Sequence, residues 1–141
     1  MQALAIVLVI KIAFTIALWT TPLLFFRKEF LQRLGFPVHD PMIFFRLFGM
    51  ATLSLTLGYS LGLRSVLSEC YPSTTIWVGI LSNGGSFFIL LLGALNSSWA
   101  QWGRPAKWVM WISLVATGAI TVGLTAFGPL MHPELLQSGC R

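Results

Sequence analysis

Four apolar stretches separated by short polar connections dominate the chain, and each is long enough to cross a hydrocarbon core of about 30 Å as a helix. They predict helices over about 3–26, 42–63, 76–95 and 108–130, with no strand-like alternation and no internal repeat. The first is apolar from Ala3 to Phe26 apart from Lys11 and a few threonines, and stops at Arg27-Lys28-Glu29. Pro22 removes a backbone hydrogen bond near its end, a loss that Thr20 or Thr21 is expected to make good in part. Asp40 reads as the N-cap of the second helix, with Pro41 at the first helical position and Arg64 at the end. Short Pro-, Ser-, Asn- and Gly-rich connections bound the third and fourth, so sequential helices should be antiparallel neighbours. The expected fold is all-α, an integral membrane four-helix bundle forming one domain over residues 1–141.

The longest connection, Arg27 to Pro41, carries Phe30, Leu31, Leu34 and Phe36 in a pattern suited to lying along the membrane surface, with Gly35 and Pro37 breaking it. The N-terminal stretch lacks a basic region before its apolar run and a convincing small-residue cleavage site, so it reads as a helix rather than a secretory signal.

Composition strengthens this picture. Hydrophobic residues make up 56% of the 141 and charged ones only 9%, against roughly 25% charged in an ordinary soluble domain, which argues against a soluble fold. The net charge of +5 lies beside apolar segments, where lipid phosphate is the nearer anion, so nucleic acid is not expected as a partner. Arg27, Lys28, Arg33, Arg104 and Lys107 fall in the first and third loops, against Arg64 in the second loop and Arg141 in the tails. That asymmetry predicts the first and third loops in the cytoplasm and both termini outside. Trp99, Trp102, Trp108 and Trp111 then fit an inner interfacial belt, Trp77 the outer edge, and the sequon Asn96-Ser97-Ser98 lies inside. Cys70 and Cys140 fall together in the oxidising compartment and are expected to form a disulfide.

Few residues carry candidate chemistry. Gly58-Tyr59-Ser60-Leu61-Gly62 and Ala119 with Gly123 are small-residue steps that suit packing within the chain or contact with a second copy. Ser113, Thr117, Thr121 and Thr125 form a mildly polar stripe that should face neighbouring helices. Arg46, roughly 8 Å into its helix, can snorkel to lipid phosphates. Lys11 is deeper, roughly 12 Å from the helix end, and no Asp or Glu lies in any span to neutralise it. Two readings of Lys11 stay open, a ligand or partner site and outward snorkelling. Asn83, in Ser82-Asn83-Gly84-Gly85-Ser86, reaches a similar depth of roughly 10 Å, and the double glycine marks a kink or tight packing. Lys11 and Asn83 are therefore expected to share one polar layer, with Tyr59 and Thr121 at nearby levels, as the candidate ligand site. His39 and His132 lie on opposite predicted sides, no nucleophile, base and metal set can be assembled, and no metal or cofactor is called for. An enzyme is the least favoured reading.

Pro22, Leu34-Gly35-Phe36-Pro37, Arg46-Leu47-Phe48-Gly49 and Leu57-Gly58-Tyr59 together resemble the small four-helix DoxX-like membrane proteins of bacteria over roughly a third of the chain, while Asn83 departs from the charged residue frequent there. The resemblance implies a bacterial cell-membrane protein with an accessory or redox-associated, quinone-linked setting. Tiny loops and few polar groups suggest an accessory or scaffold subunit, with membrane lipids and a membrane-protein partner or second copy as partners. The alternative is a binder or carrier of a small amphipathic ligand, a quinone or lipid, around Lys11 and Asn83.

Overall fold

Four long helices and one short one make up the computed structural model, which describes residues 2–39 and 41–131. We number them α1 (Gln2–Phe25), α2 (Lys28–Arg33), α3 (Ile43–Leu67), α4 (Ser73–Leu95) and α5 (Arg104–Leu130). All but α2 are long and apolar enough to cross a membrane, so the chain is a small all-helical, multi-span membrane protein. His132, Glu134 and Cys140 lie outside the described residues, as does Asp40.

Helical periodicity selects the buried faces. Gly49, Thr52, Thr56, Tyr59, Gly62 and Val66 are buried at spacings of three or four on α3, and Met110, Ser113, Thr117, Ile120 and Leu124 follow the same rule on α5. On α1, Leu4, Leu8 and Thr15 form the buried stripe, and Lys11 falls on it. Leu4, Leu8, Tyr59, Ile76, Ile120 and Leu124 close a dry core toward the α3–α4 loop. Small residues set helix distances there: a Cβ on Gly62 would lie 2.4 Å from Thr75 Cγ2, while one on Gly58 would meet nothing within 4 Å. Only one half of the small-residue step on α3 packs within the chain.

Several helix ends differ from the sequence expectation. Helix α3 begins two residues late, with Met42 rather than Asp40 as N-cap and Pro41 outside the helix. It also runs past Arg64 to Leu67, because Glu69 takes a positive φ of 58° and lets Cys70 N–H reach back to Ser65 O at 2.9 Å. The same closure ends α4, with Ser97 at φ 53° and Ser98 N–H bonded to Gly93 O at 2.8 Å. Helix α4 starts at Ser73 rather than Ile76, and α5 at Arg104, four residues before Trp108. Pro105 occupies the first turn of α5, where its missing N–H costs nothing. The double glycine does not interrupt α4, which is continuous from Ser73 to Leu95; Gly84 faces Thr121 and Gly85 faces open space.

Pro22 acts through a widened π turn at Ile16–Thr20, where Thr21 N–H bonds Ile16 O. Neither threonine returns its hydroxyl to the helix as expected of this pair: Thr20 Oγ1 donates instead across to Thr52 Oγ1 on α3, at 3.0 Å.

Loop contacts lock the end of the bundle that carries α2. Gly35, at φ 85°, ends α2, and Leu31 and Val38 turn inward and are buried. Through these two residues the segment packs onto the end of the bundle. Gly103 N–H donates to Gly35 O and Ala106 N–H to Leu34 O, each at 3.0 Å, so the turn after α2 caps the first amides of α5. Trp99 is buried rather than belt-forming, packed on Gly93 and edge-on to Trp111 at 6.2 Å, whereas Trp108 is exposed. Cys70 is disulfide-bonded; its expected partner, Cys140, lies outside the described residues.

Candidate functional site

Lys11 and Asn83 meet. The stripe on α1 carries Lys11 inward, Asn83 is buried on α4 with Ile76 and Gly79, and Lys11 Nζ donates to Asn83 Oδ1 at 2.7 Å. Asn83 is 1% exposed and fully used: its amide nitrogen donates to Gly79 O at 2.7 Å. Tyr59, also 1% exposed, shares a 2.6 Å hydrogen bond with Ser82 Oγ, and its ring centroid lies 5.4 Å from Lys11 Nζ. An ammonium at that distance from an aromatic face gains a further modest attraction. Among the described residues no Asp or Glu lies in the four spans. The positive charge is met only by an amide oxygen, a phenol ring and whatever else reaches it.

This cluster heads a cleft of about 310 Å³ to which all four long helices contribute. That is at the lower edge of the roughly 300–1,000 Å³ typical of small-molecule sites. Its wall includes Lys11, Phe14, Thr15 and Trp19 on α1, Phe48 and Leu55 on α3, Ser82, Ser86 and Ile89 on α4, and Ser113 and Thr117 on α5. Helix α4 packs chiefly on α5 and much less on α3. The residues flanking that loose seam, Phe48, Leu55, Ser86 and Ile89, are exposed, so the cleft opens sideways, toward bilayer lipid.

The hydroxyls of the wall are mostly committed. Thr15 donates to Lys11 O, Thr52 to Gly49 O, Ser86 to Ser82 O and Thr117 to Ser113 O, each at 2.7–2.8 Å. Ser113 differs: it is 0% exposed and its Oγ has no hydrogen-bond partner. The polar stripe on α5 is thus mainly intrahelical bonding, with one hydroxyl left over.

The other sequence-predicted residues separate from this site. Thr121 donates to Thr117 O at 2.7 Å and packs against Gly84. Arg46 donates through Nη1 to Leu23 O and through Nη2 to Phe26 O, each at 2.8 Å, and so caps the C-terminal carbonyls of α1, where a cation also suits the helix dipole. His39 is exposed and sits on its own turn, 3.0 Å from Pro37 O. Ser82 and Ser113 went unmarked as site residues in the sequence, although Ser82 neighbours Asn83 and Ser113 lies on the polar stripe.

No known protein family, curated protein or solved structure matches the chain.

Proposed function

We propose that this protein binds a small lipophilic ligand with an anionic or carbonyl head, taken laterally from the bilayer into the cleft between α3 and α4. The observation that carries this reading is Lys11, among the described residues the only ionisable group in the cleft wall, facing a neutral amide with no carboxylate of the described spans to balance it. A lysine ammonium has three donors. One is spent on Asn83, and two remain for a head group. An unbalanced cation within a bilayer is costly, at least about 2.5–3.5 kcal/mol on insertion scales, and an acidic or strongly dipolar ligand lowers that cost. The aromatic rings of Phe14, Trp19 and Phe48 supply the apolar wall for its body.

The same reading accommodates the resemblance to DoxX-like proteins, since a quinone carbonyl is among the heads an ammonium can hold. The cations Arg27, Lys28, Arg33, Arg104 and Lys107 gather at the α2 end, which supports placing that end at the cytoplasmic face of a bacterial cell membrane. A subunit packed against a larger complex, the other reading of such short loops, is an outcome of the same experiment. The protein is extracted in mild detergent, and both protein and solvent-extractable lipophile are weighed by mass spectrometry. Wild type is expected to carry one lipophile per chain. Lys11→Met should keep its helicity and monodispersity while retaining roughly ten- to hundredfold less, the loss expected from one charge-assisted hydrogen bond. Equal lipophile on both proteins, or a stoichiometric protein partner with no lipophile, contradicts the proposal.

A further inference from the structure

Two polar groups of the cleft wall stand apart along the bundle. Lys11 stands toward the α3–α4 loop and Ser113 toward α2, with Phe14 and Leu55, and the hydroxyls of Thr15, Ser86 and Thr117, at levels between. The offset follows from the packing of α1 on α5, where Val7 lies against Gly123. From that contact Lys11 is four residues along α1 and Ser113 ten residues back along the antiparallel α5, both in the same direction. The difference of six residues places Ser113 about 9 Å further into the bundle than Lys11.

Among the described residues Ser113 is the one buried hydroxyl of this wall without a partner. Thr117 shows what a hydroxyl on this stripe does when nothing else is offered, donating to the carbonyl four residues earlier. The Ser113 hydroxyl makes no such bond, and the cost of burying it unpaired is about 1–3 kcal/mol. Ser113 belongs to the wall of the cleft.

We infer that the ligand is a lipophilic acid oxygenated along its chain, with its carboxylate on Lys11 and a hydroxyl or keto oxygen on Ser113. This rests on the binding reading above and adds the second contact. An extended chain advances about 1.2 Å per bond, so roughly eight bonds span the offset of about 9 Å and place the oxygen near the ninth or tenth carbon. Phe14 and Leu55 suit the methylenes between, and the hydroxyls of Thr15, Ser86 and Thr117 at these levels are already bonded within their own helices. A plain acyl chain satisfies Lys11 but leaves Ser113 unpaired, so the second oxygen is a specificity contact.

The test is a competition. Purified full-length protein is offered equimolar stearate and stearate carrying a hydroxyl on its tenth carbon, and bound species are read by native mass spectrometry. Wild type is expected to favour the hydroxylated acid by roughly two- to tenfold, the effect of one net hydrogen bond. Ser113→Ala should lose the advantage of the hydroxylated acid and bind both acids equally, and Lys11→Met should lose both at least tenfold. No preference in wild type, with binding still dependent on Lys11, overturns the second contact and leaves the binding reading standing. A preference that survives in Ser113→Ala also overturns it. Failure of wild type to bind either acid, or equal binding by Lys11→Met, removes both.

Discussion

Replacing Gly35 with alanine should destabilise the protein by about 3 kcal/mol or more. Two independent costs meet at this residue. Its φ of 85° is a left-handed conformation, which costs an L-residue about 1–2 kcal/mol. A Cβ there would also lie 2.2 Å from Gly103 Cα and 2.5 Å from its nitrogen. Both are backbone atoms of the residue that precedes α5, whose N–H donates to Gly35 O, so they cannot step aside as a side-chain tip would, and overpacking of this kind costs about 1–3 kcal/mol more. Gly58→Ala is the control, because nothing lies within 4 Å of a Cβ at that position and the change favours helix by up to about 1 kcal/mol. Unfolding by SDS titration, followed by circular dichroism, should therefore separate the two variants widely. Equal stability of Gly35→Ala and wild type would mean that the turn after α2 does not pass against α5.

The second large effect concerns the polar pair. Asn83→Leu removes the oxygen that receives the Lys11 ammonium, and a hydrogen bond to a charged group contributes about 1.5–3 kcal/mol. The Tyr59 ring at 5.4 Å replaces only part of it. Lys11→Met should cost less, since it also removes the cation that needed a partner. In the double variant Met and Leu make an apolar contact, so its loss should fall below that of Asn83→Leu alone. The expected coupling is about 1.5–3 kcal/mol. Strict additivity, within about 0.5 kcal/mol, would show that the two side chains do not interact in the membrane.

Much of the bundle was legible because burial in a helix follows its period. Lys11 lies three residues after Leu8 and four before Thr15, so its inward direction could be read with no coordinates. The shared depth of Lys11 and Asn83 followed from rise per residue in the same way. Helix ends were less legible. The starts of α4 and α5 were hidden by Ser73, Arg104 and Pro105, whose polarity or ring reads as loop although each is tolerated in a first turn. The extension of α3 depended on Glu69 adopting a conformation that its side chain does not announce.

The site itself was half visible. Arg46 was expected at lipid phosphate, and its donors on Leu23 O and Phe26 O depend on where α1 ends beside α3, a tertiary fact. The cleft arises because α4 leans on α5 and away from α3, which no local pattern encodes. Ser113 looked like any member of a hydroxyl stripe; only its missing bond sets it apart.

Photoaffinity labelling tests the central claim most directly, because it reports where a lipophile with an anionic head resides. Stearate carrying a diazirine at mid-chain is incubated with the full-length protein, irradiated, and its adducts mapped by peptide mass spectrometry. Labelling is expected on the cleft residues Leu55, Ile89 and Leu90, competed by unmodified stearate and lost in Lys11→Met. Adducts spread over the exposed lipid-facing residues Leu81 and Val115, unchanged by competitor and equal in Lys11→Met, would contradict the account.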